Sequence, residues 1–321
     1  MSRRAMTMTS LKRNHRVLPL LAAMILALGA DAQETKAKHY ETPEAAAEAM
    51  AKACETNDVA ALLAMVGSEH KDVVDPAGDP GVEARRRDFA EQLREAHGFE
   101  ANGADRKTLV VGDDKWPFPI PLVKDAGGWF WDASAGREEL LDRLIGENEF
   151  QAISICRGYV DAQMDYAAAD RDGDEVLEYA QRIRSTPGQR DGLYWPVDPA
   201  SGERPSPIGE LVTEAGLKPK AESDGKPHWG YYFRILHRQG GNVPGGKYDY
   251  VINGNMIAGF ALVAYPAAYG RTGVMTFVVS HQGKVYEKDL GEKSTELAAQ
   301  ITEYNPDKSW GLVEDDGLED E

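Results

Sequence analysis

Residues 230–290 form the longest stretch of the chain that keeps one structural grammar, and they commit this part to antiparallel sheet. Segments 231–236, 248–252, 257–264, 274–280 and 284–288 are rich in β-branched and aromatic residues, with clusters of Gly, Pro and Asn between them. Asn253-Gly254 and His281-Gln282-Gly283 suit hairpin connections, because Asn and Gly accept the positive φ that tight turns require. Short turns join each strand to the next, so the spacing predicts a meander, and one face of that meander must be covered.

The cover lies upstream. Phe150, Ile153, Cys156, Val160 and Met164 recur at spacings of three and four, which predicts a long helix from Glu147 with a single buried stripe, ending in an acidic loop at 170–174. Residues 136–146, with Leu140, Leu141, Leu144 and Ile145, read as an amphipathic connector into it. Nearer the N-terminus, Thr42-Pro43-Glu44 supplies an N-cap, a proline at the first helical position and an acid in the first turn, so a helix over 44–55 is expected. Asn57-Asp58 caps a second helix carrying Val59, Leu62, Leu63 and Val66 and stopped by Gly67, and Phe89 and Leu93 mark a third over 85–97. Segments 108–111, 118–124 and 128–132 read as strands, with a hairpin at Gly127-Gly128. Pro117, Pro119 and Pro121 remove hydrogen-bond donors at every second residue, which places their strand at a sheet border. Trp116 and Phe118 beside them suit core packing, with a ligand-facing aromatic wall as the alternative. The expected fold class is α+β: a helix-plus-hairpin region over residues 33–146, then a long helix packed on an antiparallel meander over 147–313.

Residues 1–32 read as a secretory signal. Arg3, Arg4, Lys12, Arg13 and Arg16 make a basic start, residues 17–28 an apolar core, and Ala30-Asp31-Ala32 a small-residue cleavage site before Gln33. An apolar core of 12 residues is short of the roughly 20 that span a bilayer, so no transmembrane segment is expected after cleavage. Cleavage leaves 31 basic against 52 acidic residues, a net charge of −21, which disfavours nucleic acid and anionic membranes as partners. The expected location is periplasmic or secreted. Residues 314–321, EDDGLEDE, read as an acidic tail. The export route permits Cys54 and Cys156 to pair, but both fall in helical patterns where a small buried thiol is equally ordinary.

The runs WPFPIPLV (116–123), IGENE (145–149), GLYWP (192–196), YYFRIL, PGGKYDYVINGNMI, GFALVAYP and GVMTFVV resemble a bacterial secreted family known as a domain of unknown function, over nearly all of the chain beyond residue 32. That resemblance implies no reaction. The order of long helix, irregular segment and antiparallel meander also resembles the soluble heads of type IV pilins and pseudopilins. A pilin, however, carries about 20 apolar residues at the start of its long helix, and no such run precedes Glu147. The pilin resemblance therefore implies a pilin-head-like interaction module without filament assembly.

Asp170, Asp172 and Asp174 alternate, and Glu178 follows four residues on, a spacing of hard oxygen ligands that points to a weak calcium site. The match to an EF-hand loop is incomplete, since Glu175 stands where Gly is needed and Gln181 where a bidentate Glu is needed. The competing reading is an exposed acidic turn. Residues 241–248, GNVPGGKY, come close to a phosphate-binding loop, but Tyr248 replaces the magnesium-binding hydroxyl and a strand follows, so nucleotide binding is rejected. Ser280-His281, His228 and His237 are the groups that could serve hydrolysis, with Asp249 as a partner for His228; adjacent residues on a strand point to opposite faces, which separates Ser280 from His281. The expected function is a non-enzymatic binding or assembly protein of the bacterial envelope whose partner is another envelope or secreted protein. The alternative is a periplasmic or extracellular hydrolase acting on an envelope component.

Overall fold

The computed structural model describes residues 37–74, 82–171, 173–209 and 227–314; the signal segment, Asp172 and residues 315–321 of the acidic tail lie outside them. The chain divides into two compact units, Met1–Leu144 and Ile145–Glu321.

The first unit opens with four helices, α1 (Pro43–Glu55), α2 (Val59–Val66), α3 (Lys71–Val74) and α4 (Val82–Glu95). The capping chemistry sets their starts. The Thr42 hydroxyl accepts the Ala45 N–H at 3.1 Å and the Asp58 carboxylate accepts the Ala61 N–H at 2.9 Å, each satisfying a first-turn donor that has no helical partner. Gly67, at φ +98, ends α2. Ala46, Ala47, Met50 and Cys54 of α1 join Phe89, Ala90 and Leu93 of α4 in one core with Leu109, Leu122, Trp129 and Trp131 from the sheet.

That sheet runs β1 (His97–Ala101), β2 (Arg106–Val111), β4 (Leu122–Asp125), β5 (Gly128–Trp131), with β3 (Trp116–Pro117) also on β2. Two expectations need correcting. The 118–124 strand does not lie at a border: residues 118–121 are irregular and β4 sits between β2 and β5. Having no N–H, Pro119 and Pro121 cannot continue a ladder, so the strand starts only at Leu122, where every residue can pair on both sides. The third helix stops at Glu95, and residues 97–101 instead pair with β2 from His97↔Val111 to Ala101↔Lys107. Trp116 and Phe118 serve packing: Phe118 stacks on Phe89 at 5.2 Å and meets Trp131 edge-on at 5.4 Å. Gly128 allows Tyr40 to lie beside β5, because a Cβ there would stand 2.5 Å from the Tyr40 carbonyl oxygen. Tyr40 and Trp129 exchange backbone hydrogen bonds of 2.7 and 2.8 Å at that point.

The long helix α5 spans Ala133–Ala167, 35 residues without a break. The expected connector over 136–146 is thus the first part of this helix. Glycine costs a helix about 1 kcal/mol relative to alanine but does not end it, and Gly136 is needed for close approach, since a Cβ would lie 2.7 Å from Ile120 Cγ1.

The second unit holds a five-stranded antiparallel sheet ordered β14-β13-β12-β11-β6: β6 (Tyr231–Leu236), β11 (Ala261–Pro266), β12 (Met275–Ser280), β13 (Val285–Asp289) and β14 (Gly311–Leu312). The 248–252 segment leaves the meander. β6 pairs directly with β11, and the chain between them makes two small ribbons, β7 (Arg238–Gln239) with β8 (Tyr248–Asp249), and β9 (Val251–Ile252) with β10 (Asn255–Met256). Tyr250, wholly buried, splits the segment, and its hydroxyl donates to Gln239 Oε1 at 3.1 Å. The 241–247 loop folds back on the same Gln239, whose amide donates to the Pro244 and Gly246 carbonyls at 2.9 and 2.8 Å.

Directly paired residues share a face, so Phe233, Ala264 and Phe277 look to one side and Arg234, Val263, Val278 and Tyr286 to the other. The first side meets α5, where Tyr159 packs edge-on against Phe260 at 5.6 Å and lies 3.3 Å from the Ala261 carbonyl through its hydroxyl. The second is covered by α6 (Ser294–Ala299) and the residues after it; Arg234 donates to the Ala298 and Ile301 carbonyls at 2.8 Å each. The stripe on α5 is not the one hydropathy predicts. Ala152, Cys156, Tyr159, Ala162, Gln163 and Tyr166 are buried, whereas Phe150 and Met164 are 43% and 47% exposed and Ile153 and Val160 only half-buried. Close approach of helix to sheet favours small residues and flat rings over bulky aliphatic ones, and a hydropathy scale undervalues Ala, Tyr and Gln.

Candidate functional site

The acidic segment after α5 and the β9–β10 hairpin together form one surface of the second unit. Asn253, at φ +52, and Gly254, at φ +99, turn the hairpin, and Ile252↔Asn255 and Val251↔Met256 pair across it. Glu178 accepts the Met256 N–H at 3.1 Å, Asp174 accepts the Asn255 side-chain amide at 2.7 Å, and Gln181 donates to the Gly254 carbonyl at 2.6 Å. The Tyr179 N–H donates to the Met256 carbonyl at 2.8 Å. A two-stranded ribbon is unstable alone in water; here four contacts from 174–181 hold it.

Three of the four carboxylates read from sequence as a calcium set have hydrogen-bond partners here. Asp170 folds back on its own loop, accepting the Gly173 and Glu175 N–H groups at 2.7 and 3.0 Å, and Asp174 also accepts the Val176 N–H at 2.8 Å. Asp174 and Glu178 point to the hairpin, Asp170 does not, and Asp172 lies outside the described residues. Among the described residues no group of three or more His, Cys, Asp or Glu is placed to hold a metal ion. Asp170 and Asp174 thus accept turn-forming hydrogen bonds from backbone N–H groups.

The outer face of this substructure is apolar and acidic. Met256 turns inward and is wholly buried, while Ile252, Ile257 and Leu177 are 45%, 44% and 59% exposed. They are three of the seven large apolar side chains exposed among the described residues; Ile252 and Ile257 belong to the clamped hairpin and Leu177 to the irregular segment that clamps it. Asp170, Asp174 and Glu175 are exposed around them. Arg171, within the same loop, turns away: it donates to the Tyr166 and Asp165 carbonyls at 3.2 and 3.0 Å and lies over the Trp195 ring at 5.7 Å.

A second polar cluster, which no motif announced, ties α5 to the sheet. The Glu149 carboxylate accepts the Val274 and Met275 N–H groups at 2.8 and 2.9 Å, and the Asn148 amide donates to the Thr272 carbonyl at 2.9 Å. Tyr231 donates to the Met275 carbonyl at 2.9 Å, and Gly273 passes so close that a Cβ would lie 2.1 Å from the Tyr231 hydroxyl. Burial, and then the Glu149 charge, push the Glu287 carboxyl above its ordinary value of 4.5. As pH rises past 4.5 the unfolded chain releases this proton first, so stability falls through the window between 4.5 and the raised folded-state value. Glu287→Gln should flatten that decline: urea unfolding across pH 4 to 8 is expected to show a variant that gains on the wild type as pH rises (about that range brackets carboxyl titration). A constant difference at every pH would refute it.

Three runs that carry the family resemblance, IGENE, YYFRIL and GVMTFVV, thus supply Glu149, Tyr231, Val274 and Met275 to one cluster. The profile of a family described as "Protein of unknown function (DUF2950)" matches residues 37–313. The chain belongs to this family. No curated protein and no solved structure matches it.

Among the described residues, the groups that could serve hydrolysis in this DUF2950 chain each meet other partners. Ser280 is wholly buried. His281 packs its ring against Tyr250 at 5.8 Å and Phe260 at 6.1 Å, and burial pushes its pKa below 6.5. Asp249 does not join His228; it pairs with Arg238 at 3.4 Å, because β7 and β8 place the two opposite each other, while His228 shares backbone bonds with Tyr231. His237 Nε2 stands 3.3 Å from the Gln181 carbonyl. Cys54 and Cys156 are free and buried, one in each unit's core, and burial pushes each thiol up to about 12. A thiol so protonated is a packing group. Among the described residues no helix is long and apolar enough to cross a membrane.

Proposed function

We propose that this DUF2950 protein is an exported, non-enzymatic binding or assembly protein of the bacterial envelope, and that it engages another envelope or secreted protein through the β9–β10 hairpin. The observation that carries the reading is the exposure of Ile252 and Ile257 on a hairpin tied down by Asp174, Glu178 and Gln181, with Leu177 exposed on the segment that ties it. Exposed apolar side chains scattered singly mean little, but a contiguous group rimmed by polar residues marks an interaction surface. A rigid support lowers the ordering cost of binding. Export rests on the order of basic, apolar and small residues in 1–32. The pilin-head resemblance adds only the order of its elements, a helix packed on an antiparallel sheet, and fits a head-like module that works without a filament.

The test is a photo-crosslinking side chain placed at Ile257, and separately at Leu297 on α6, in the protein produced in its own cells. A discrete adduct of defined mass is expected from Ile257 and not from Leu297, whose exposure of 41% is comparable. Equal adducts from both positions, or none from Ile257, would refute the assignment.

A further inference from the structure

Resting on the docking surface just proposed, the inference concerns what docks there. We infer that the occupant is a cationic amphipathic segment of another protein, a stretch in which lysine or arginine stands beside two or three large apolar side chains.

The apolar requirement comes from Ile252, Ile257 and Leu177. Ile252 shares a face with Asn255, its pairing partner, and Ile257 directly follows the inward-turned Met256 at the end of β10, so the hairpin carries both exposed isoleucines. They offer anchors for apolar side chains but too little area to hold a partner by themselves, because association must first repay lost translational and rotational freedom. The charge requirement comes from the rim. Asp170, Asp174 and Glu175 are exposed in the acidic segment, and Glu178, next to the Tyr179 bridge, accepts the Met256 N–H. Arg171 is engaged with Trp195 and the Tyr166 carbonyl, and Arg182 pairs with Asp191 at 3.1 Å, so these two neighbouring cations are both committed elsewhere. An incoming lysine or arginine would meet complementary charge at the rim while its apolar neighbours cover the isoleucines. The same charges argue against a second copy of this chain. Two identical acidic rims would face each other, and the whole protein carries a net charge of −17.

The experiment uses the full chain and three short fluorescent peptides read by anisotropy: one alternating Lys and Leu, one alternating Glu and Leu, one alternating Lys and Ser. The Lys/Leu peptide is expected to bind, and to weaken as salt rises from about 0.05 to about 0.3 M as charges become screened; the other two are expected to fail. The double variant Ile252→Ser/Ile257→Ser should weaken binding about tenfold or more. Glu175→Gln with Asp174→Asn, which keeps a carbonyl oxygen to accept from Asn255, should weaken it by a similar factor and reduce the salt dependence. Leu297→Ser is the control and should bind as the wild type does. Equal binding of the Lys/Ser peptide, or undiminished binding by the isoleucine double variant, would overturn the inference. Failure of every peptide alongside a discrete Ile257 adduct in cells would refute this partner class while leaving the docking surface standing. Loss of the adduct would refute the docking surface itself.

Discussion

Replacing Gln163 with leucine is expected to cost the second unit about 2 to 6 kcal/mol, enough to bring it close to its unfolding midpoint at ambient temperature. Gln163 is wholly buried on α5 and spends its amide on three partners. Its oxygen accepts the Ala180 N–H at 2.8 Å, and its nitrogen donates to the Ala180 carbonyl and the Tyr159 hydroxyl at 2.9 Å each. Ala180 belongs to an irregular segment that has no long ladder to satisfy its backbone, so the glutamine closes its hydrogen bonds in place of a strand. Leucine fills similar volume but leaves a buried N–H and a buried carbonyl unpaired, and each such group costs about 1 to 3 kcal/mol. Denaturant unfolding followed by tryptophan fluorescence measures the effect. Met164→Ala, next along the helix and 47% exposed, should change stability by less than about 1 kcal/mol. A Gln163→Leu variant as stable as the wild type would show that residue 180 finds other partners.

Ala152→Asp is expected to prevent the second unit from folding, while Phe150→Asp and Met164→Asp leave its melting temperature within a few degrees of the wild type. Ala152 is wholly buried in the contact between α5 and the sheet. An uncompensated carboxylate in an apolar interior costs several kcal/mol, comparable with the stability of a whole domain. Phe150 and Met164 are the larger apolar residues, and by hydropathy they would matter more. Their exposure reverses the order. Ile153→Asp, half-buried, should fall between the two. Circular dichroism and thermal melting of the four variants decide the matter: collapse of Phe150→Asp alongside a stable Ala152→Asp would mean that the helix presents the opposite face.

The sequence alone determined the starts of α1 and α2 and the class of the fold. Thr42, Pro43, Asp58 and Gly67 act within one helical turn of themselves, and such local chemistry is the same in the chain as in the folded protein. Asn253-Gly254 was legible as a turn for the same reason. Local pattern also found the long helix and most strands of the second unit's sheet, because β-branched runs bounded by turn residues leave few other choices.

Tertiary structure decided what depends on partners distant in the chain. The phase of α5 was set by how closely the sheet approaches, which admits Ala152, Tyr159 and Gln163 where hydropathy favours Phe150 and Met164. Whether 248–252 joined the meander depended on burying Tyr250 beneath Gln239, and whether 118–124 began at Phe118 or Leu122 depended on which residues could donate on both sides. Of the acidic loop, the sequence showed the alternation of carboxylates but could not show the donors facing them: Asn255 stands 81 positions from Asp174 and Met256 stands 78 from Glu178. Glu149 went unnoticed for the same reason, its two N–H donors lying 125 and 126 residues away. A carboxylate looks the same in sequence whether it will hold a cation, face solvent or accept a backbone hydrogen bond, because its role is fixed by the groups that folding brings within about 3 Å of it.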